Sequence, residues 1–150
     1  MNQPREPGSY RGSSKEKRNA VGLWQNREFR AGRLTRPTTC CSCGLSGPGV
    51  VIIAHLEDYD RPTAIDPLCV RCHLVLHSRY KRREAWERYR AAIRAGAVFP
   101  AWTHATGFGG LQTFLRALET RQRGLLSEYD AAGFTYGPKR GPGYLDTITD

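Results

Sequence analysis

Apolar positions recur with a helical rhythm first at Val21, Trp24 and Phe29, which predicts a short amphipathic helix from Lys17 to Gly32. Gly22 weakens that helix by about 1 kcal/mol relative to alanine. Arg33 to Thr39 reads as a connector, since Pro37 disfavours helix before it. The rhythm then changes to an unbroken β-branched run, Val50-Val51-Ile52-Ile53-Ala54-His55, expected as a buried strand. Leu56 to Asp66 is a loop containing Pro62. Helical spacing returns after His73: Trp86, Tyr89 and Ile93 share one face of a helix expected to run to Ala95, with Gly96 as its cap. Leu111, Phe114, Leu115 and Leu118 form the stripe of a further helix, Gly110 to Arg123. Outside these segments the pattern fails. Residues 1–16, with Pro4, Pro7, Gly8, Gly12, Ser13 and Ser14, read as a disordered basic arm. Gly133 to Pro142 reads as irregular. Four segments result: the arm 1–16, helix and connector 17–38, a central domain 39–96, and a helical extension 97–150 with an irregular tail.

Composition explains why so little apolar periodicity can still make a domain. The 150 residues are 39% hydrophobic and include sixteen glycines and nine prolines. Such a chain buries a small core, and small cores need a staple. Cysteines are the candidates. No run of about 18 apolar residues predicts a membrane span. The N-terminus lacks the apolar stretch of a secretory signal. A reducing, intracellular compartment is therefore expected, where thiols bind metal more often than they pair. Five cysteines, an odd number, also argue against a pure disulfide framework.

Two CxxC pairs stand in the chain, Cys40–Cys43 and Cys69–Cys72. Thiolates two residues apart reach one tetrahedral ion from a single tight turn, and two such turns close a four-sulfur site. A closed site has no open position, so structural Zn²⁺ is expected. Cys41 competes with Cys40 for the first position; the spacing of the second pair favours Cys40. Four histidines follow a second pattern. His73 and His77 lie four residues apart on one helical face, a spacing that chelates transition metals. His55 ends the strand, and His104 carries no assigned role. The formal charge of +9 and the pI near 9.7 favour a polyanionic partner. Arg79, Lys81, Arg82 and Arg83 are the expected phosphate-contacting surface.

The segment CCSCGLSG…IIAHLEDYDRPTAIDPLCVRCHLVLHSRY resembles the HNH nucleases, in particular phage and bacterial members that carry a zinc ribbon. The resemblance covers Thr39 to Arg79, less than a third of the chain. It implies an α+β fold: a small ββα-metal core with a four-cysteine zinc knuckle, flanked by helices and irregular tails. It implies a metal-dependent endonuclease hydrolysing phosphodiester bonds of nucleic acid, double-stranded DNA ahead of RNA, in the cytoplasm or nucleoid of a bacterial host. His55, His73 and His77 match ligands of a catalytic divalent ion (Mg²⁺, Mn²⁺, Ni²⁺ or Zn²⁺). A strand-end histidine acts as general base in such enzymes. Here His55 is followed by Leu56, where many relatives have a second histidine. The base is then His55 itself, or Asp58 as a substitute, or the position is lost. Ala64 stands where asparagine is frequent. The alternative is a catalytically inactive HNH-fold regulator that binds DNA, RNA or a host protein.

Overall fold

The computed structural model describes residues 10–97, 99–120 and 135–136. It is a small mixed α+β structure. Among the described residues the order is α1 (Lys15–Arg30), β1 (Leu45–Ser46), β2 (Ile52–His55), β3 (Asp66–Cys69), α2 (Val70–His77), α3 (Arg83–Arg94), α4 (His104–Glu119) and β4 (Thr135–Tyr136). The strands form two two-stranded sheets, β1 with β4 and β2 with β3. The chain divides into two compact units, Met1–Pro37 with Ala54–Asp66, and Thr38–Ile53 with Pro67–Asp150. No helix among the described residues is long and apolar enough to cross a membrane.

The first unit is built on α1. Ser14 caps it, its hydroxyl accepting from the Lys17 amide at 3.2 Å, which satisfies one of the helix's orphan donors. Of the arm expected over 1–16, residues 1–9 lie outside the described residues. Residues 10–16 are folded: Tyr10 and Ser13 exchange backbone hydrogen bonds across a tight turn, and α1 starts at Lys15. Arg11 takes a left-handed φ of 47° in that turn, with Gly12 at 81°. Gln25, buried, donates to the Pro62 carbonyl at 3.0 Å, and Lys17 pairs with Asp60. Val21 and Trp24 are half-buried on the same side and line a shallow pocket with Pro62.

The second unit holds the core. Its buried residues include Leu45, Leu68, Val75, Leu76, Trp86, Tyr89, Ile93, Phe99, Phe114, Leu115 and Leu118, together with four cysteines. Trp86, Tyr89 and Ile93 point inward from α3 as their spacing predicts. Helix α4 packs against both α2 and α3. Two expectations are corrected here. The helix foreseen from His73 to Ala95 is two helices, α2 and α3, separated by Ser78–Arg82. The break is made locally: the Ser78 hydroxyl donates to the Leu74 carbonyl at 3.0 Å, and the Arg79 guanidinium caps the Leu76 carbonyl at 3.0 Å. A cation at a helix C-terminus satisfies the last carbonyls and opposes the dipole. Gly96, with φ of 88°, then ends α3 as foreseen. The run Val50 to His55 is strand only from Ile52, and only His55 in it is buried. Of the tail expected as irregular, Thr135 and Tyr136 pair antiparallel with Ser46 and Leu45. The rest of Gly133–Pro142 lies outside the described residues.

Helix α4 begins at His104, six residues before the expected start, and takes in Gly107, Gly109 and Gly110. Gly107 is required by close approach. A Cβ there would lie 2.7 Å from Leu74 Cδ1 and 3.1 Å from Val70 Cγ1 on α2. Alanine can be met by a shift of the Leu74 tip and gains up to about 1 kcal/mol in helix propensity. Valine cannot, because Val70 is stiff at χ1. Gly107→Val is expected to lower stability by about 1–3 kcal/mol through overpacking, measured as a shift in the urea midpoint. An unchanged midpoint would show that α2 and α4 are not in contact in solution.

Candidate functional site

Both CxxC turns are held by their own backbone. The Cys40 amide donates to the Leu45 carbonyl and the Gly44 amide to the Cys40 carbonyl, each at 2.9 Å. Gly44 closes this turn with φ of 78°. The second turn is the first turn of α2, with Cys69 at the N-cap and Cys72 inside. The Sγ atoms of Cys40, Cys43, Cys69 and Cys72 all lie within 4.8 Å of one another, and all four residues are buried. No disulfide is formed. Cys43 and Cys69 sulfurs are 3.9 Å apart. A tetrahedron with metal–sulfur bonds of about 2.3 Å has edges of about 3.8 Å, so the spacing suits one metal ion such as zinc. Cys41 stands outside this group; its amide instead donates to the Pro67 carbonyl at 2.8 Å.

The surroundings supply an independent test of fit. Arg71, between Cys69 and Cys72, is fully buried. It donates to the Tyr89 hydroxyl (3.3 Å), the Pro100 carbonyl and Cys43 Sγ (3.5 Å), and its guanidinium lies 4.7 Å over the Phe99 ring. The Tyr89 hydroxyl is 2.8 Å from Cys72 Sγ. Among the described residues no carboxylate pairs with Arg71 in an ion pair. A guanidinium keeps its charge, and a buried charge needs a partner. Sulfur anions are the partners at hand. Burial pushes the Cys72 thiol up, but hydrogen bonds from Cys40, Cys43 and Cys69 and the charge of Arg71 outweigh it and hold Cys72 well below the usual thiol range. Hydrogen bonding to Cys40 holds Cys43 far above that range, and hydrogen bonding to Cys40 and Cys43 does the same for Cys69. The buried cation and the ionised sulfur fit a bound cation better than four neutral thiols.

On α2 the His73 and His77 Nε2 atoms stand 3.0 Å apart, the rings 83° to one another. Nitrogens bound to one ion at about 2.0–2.1 Å stand about 2.9–3.4 Å apart for angles between octahedral and tetrahedral. The pair therefore has the geometry of two cis ligands. His73 is half-buried and His77 exposed.

In the first unit His55 is buried, 3% exposed, and its Nε2 lies 2.6 Å from Glu57 Oε1. The Tyr10 hydroxyl donates to the same oxygen at 2.6 Å, and Arg11 reaches Oε2 at 3.4 Å. A carboxylate accepts, so Nε2 carries the proton and the neutral ring has its lone pair on Nδ1. Asp58 is exposed and its Oδ1 accepts the Asp60 amide at 2.9 Å, a turn-capping bond. Leu56 is buried, 2% exposed. Around Ala64 the loop makes backbone turns: the Arg61 amide donates to the Asp58 carbonyl at 3.1 Å and the Ala64 amide to the Arg61 carbonyl at 3.0 Å.

The expected phosphate surface needs correction. Arg79 is fully buried and spent on capping α2 and on Tyr80, whose hydroxyl it meets at 2.9 Å. Arg82 forms a fork on Glu119, at 2.6 and 2.8 Å, and reaches Gln112 at 2.7 Å. That bond holds the Glu119 carboxyl below the usual carboxylate range. Arg83 pairs with Glu87 at 3.0 Å but stays exposed, as does Lys81. Glu57, Arg71 and Tyr89 were not foreseen. The His-x-Glu spacing of His55 and Glu57 was a usable signal, since it sets a carboxylate two residues past the histidine that ends β2. For Arg71 there was none: an arginine inside a CxxC turn reads as surface. No family model, curated protein or solved structure matches the chain.

Proposed function

We propose that this protein is a zinc-stapled, HNH-like endonuclease that hydrolyses phosphodiester bonds of DNA with a second divalent ion, in the cytoplasm or nucleoid of a bacterial host. The observation that carries the reading is the His73–His77 pair, set as cis ligands on a helix whose first turn holds Cys69 and Cys72. The element order supports it too: β2 pairs with β3, β3 runs directly into α2, and the histidines lie at the end of β2 and along α2. The zinc assignment rests on the four clustered cysteines.

His73 and His77 would hold the divalent ion, with His55 as the ligand or base that the HNH resemblance assigns. The ion, when bound, polarises the scissile phosphate and stabilises the leaving oxygen. Glu57 fixes the His55 tautomer, so Nδ1 is the nitrogen that binds metal or takes the proton of the attacking water. The exposed Lys81 and Arg83, together with Lys15, Arg27 and Arg30 on α1, are the candidates for phosphate contacts. Each contact releases counterions, so DNA binding should weaken steeply between about 50 and 200 mM salt.

The test is nicking of supercoiled plasmid with Mg²⁺, Mn²⁺, Ni²⁺ or Zn²⁺ by the wild type and by His73→Ala. Wild type is expected to nick with at least one ion, and the variant with none. An intact plasmid in every wild-type reaction refutes the enzyme reading. One observation favours the second reading, an inactive regulator: His55 is almost sealed from solvent and is followed by the apolar Leu56. A stoichiometric protein captured from host lysate after nuclease treatment, from a chain that does not nick, supports that reading.

A further inference from the structure

Arg71 is a buried cation inside a sulfur cluster, and its surroundings determine what it is for. Two donors aim at two different sulfurs. The guanidinium reaches Cys43 at 3.5 Å, and the Tyr89 hydroxyl reaches Cys72 at 2.8 Å. The two are chained together, since Arg71 Nε donates to the Tyr89 oxygen, leaving the phenolic hydrogen for the sulfur. Four thiolates around a divalent ion carry a formal charge of −2. Arg71 brings the buried cluster to −1, and the phenol spreads part of the remainder. Around four neutral thiols the same guanidinium would face only a carbonyl, a phenol and the Phe99 ring, none of them anionic.

We infer that Arg71 and Tyr89 are the counter-charge and donor pair of the four-cysteine centre: they raise its affinity for a divalent ion and tie its occupancy to the packing of α3 and of the Phe99–Pro100 segment. Tyr89 lies on α3, 5.6 Å from Phe99 and 5.9 Å from Phe114 by ring centroids. Arg71 holds the Pro100 carbonyl. When the ion leaves, cysteines of the cluster take up protons, the negative charge facing Arg71 falls, and both anchors loosen together. Filling the site therefore tightens the helical part of the unit and not only the two cysteine turns. The inference rests on metal binding by the four cysteines and is independent of nuclease activity.

The experiment is a Co²⁺ and Zn²⁺ titration of the full chain against a competing chelator, for wild type, Arg71→Met, Arg71→Lys and Tyr89→Phe. Arg71→Met is expected to bind about 10–100-fold more weakly, the range for losing an outer partner of a metal ligand. Its Co²⁺ sulfur-to-metal charge-transfer bands should shift. Tyr89→Phe should shift the same bands with a smaller loss of affinity, and Arg71→Lys should fall between. In thermal melts the gain in Tm on adding Zn²⁺ should be smaller in Arg71→Met than in wild type, because a more weakly held ion stabilises the folded chain less. Wild-type affinity and an unshifted spectrum in Arg71→Met overturn the inference. If Arg71→Met does not fold, the same result in Tyr89→Phe overturns it. A wild-type chain that takes up neither ion overturns the four-cysteine metal site and this inference with it.

Discussion

Cys69→Ala is expected to abolish metal uptake and to unfold the second unit, measured as loss of one equivalent of bound Zn²⁺ and of the cooperative far-UV thermal transition. Cys69 is buried, and it joins β3 to α2 as the N-cap residue. The magnitudes decide the outcome. Structural zinc contributes an apparent binding free energy of about 10–16 kcal/mol in small zinc-finger peptides at pH 7. A whole domain is stable by about 5–15 kcal/mol. Losing the ion therefore removes as much as the unit has. Truncating one ligand also leaves the remaining sulfurs and Arg71 without their balance of charge. Retention of a full metal equivalent and of the wild-type melt in Cys69→Ala would refute the four-cysteine site.

The same centre should respond to acid with a definite sign. Cys43 and Cys69 are held above the ordinary thiol range as they donate hydrogen bonds to neighbouring cysteine sulfurs, so both carry protons at neutral pH when no metal is bound. Metal must displace those protons, and affinity falls as pH falls. Each displaced proton corresponds to about one decade of affinity per pH unit. Direct measurement of proton release on Zn²⁺ addition checks it.

On the proposed endonuclease reading, His55→Ala is expected to lower plasmid nicking by about 10²–10⁴-fold, the usual contribution of a general base, while the zinc content of the four-cysteine site is unchanged. Glu57→Gln should cost less, about 10–100-fold, because it keeps the shape but loses the anion that fixes the ring. The order of the two effects matters more than their size. If Glu57→Gln were the more damaging, Glu57 and not His55 would be the reacting group. Wild-type nicking in His55→Ala would remove His55 from the chemistry altogether.

The sequence was most informative where chemistry constrains spacing. Two residues between cysteines, three between histidines and the Trp86–Tyr89–Ile93 face are all periodic, and the cysteine cluster and the α3 face are found in the structure. It was least informative where tertiary contacts override local preference. Three glycines made His104–Gly110 look like a breaker, yet Gly107 is the residue that lets α4 approach α2. Ser78 and Arg79 carry no breaker signature, but the Arg79 amide and guanidinium both take the Leu76 carbonyl that a continuing helix would give to Tyr80. Basic residues misled for the same reason. Arg71, Arg79 and Arg82 look alike in a charge count, and only packing separates a buried counter-ion, a helix cap and a surface fork.

The tight turn at Tyr10–Ser13 has a consequence for how the gene can be cut. The chain leaves the second unit after Ile53 and re-enters it at Pro67, so the residues bearing His55 and Glu57 form an insertion completed by a remote N-terminal segment. Tyr10 and Arg11, with the latter in a left-handed conformation that ordinary side chains rarely adopt, supply the donors that Glu57 accepts. A fragment beginning at Thr38 would retain every cysteine and both α2 histidines yet lose the clamp on the third. Any modular transplant of the metal-binding segment must therefore carry residues 10–37 with it, and a start codon chosen downstream of Tyr10 would separate metal content from whatever His55 does.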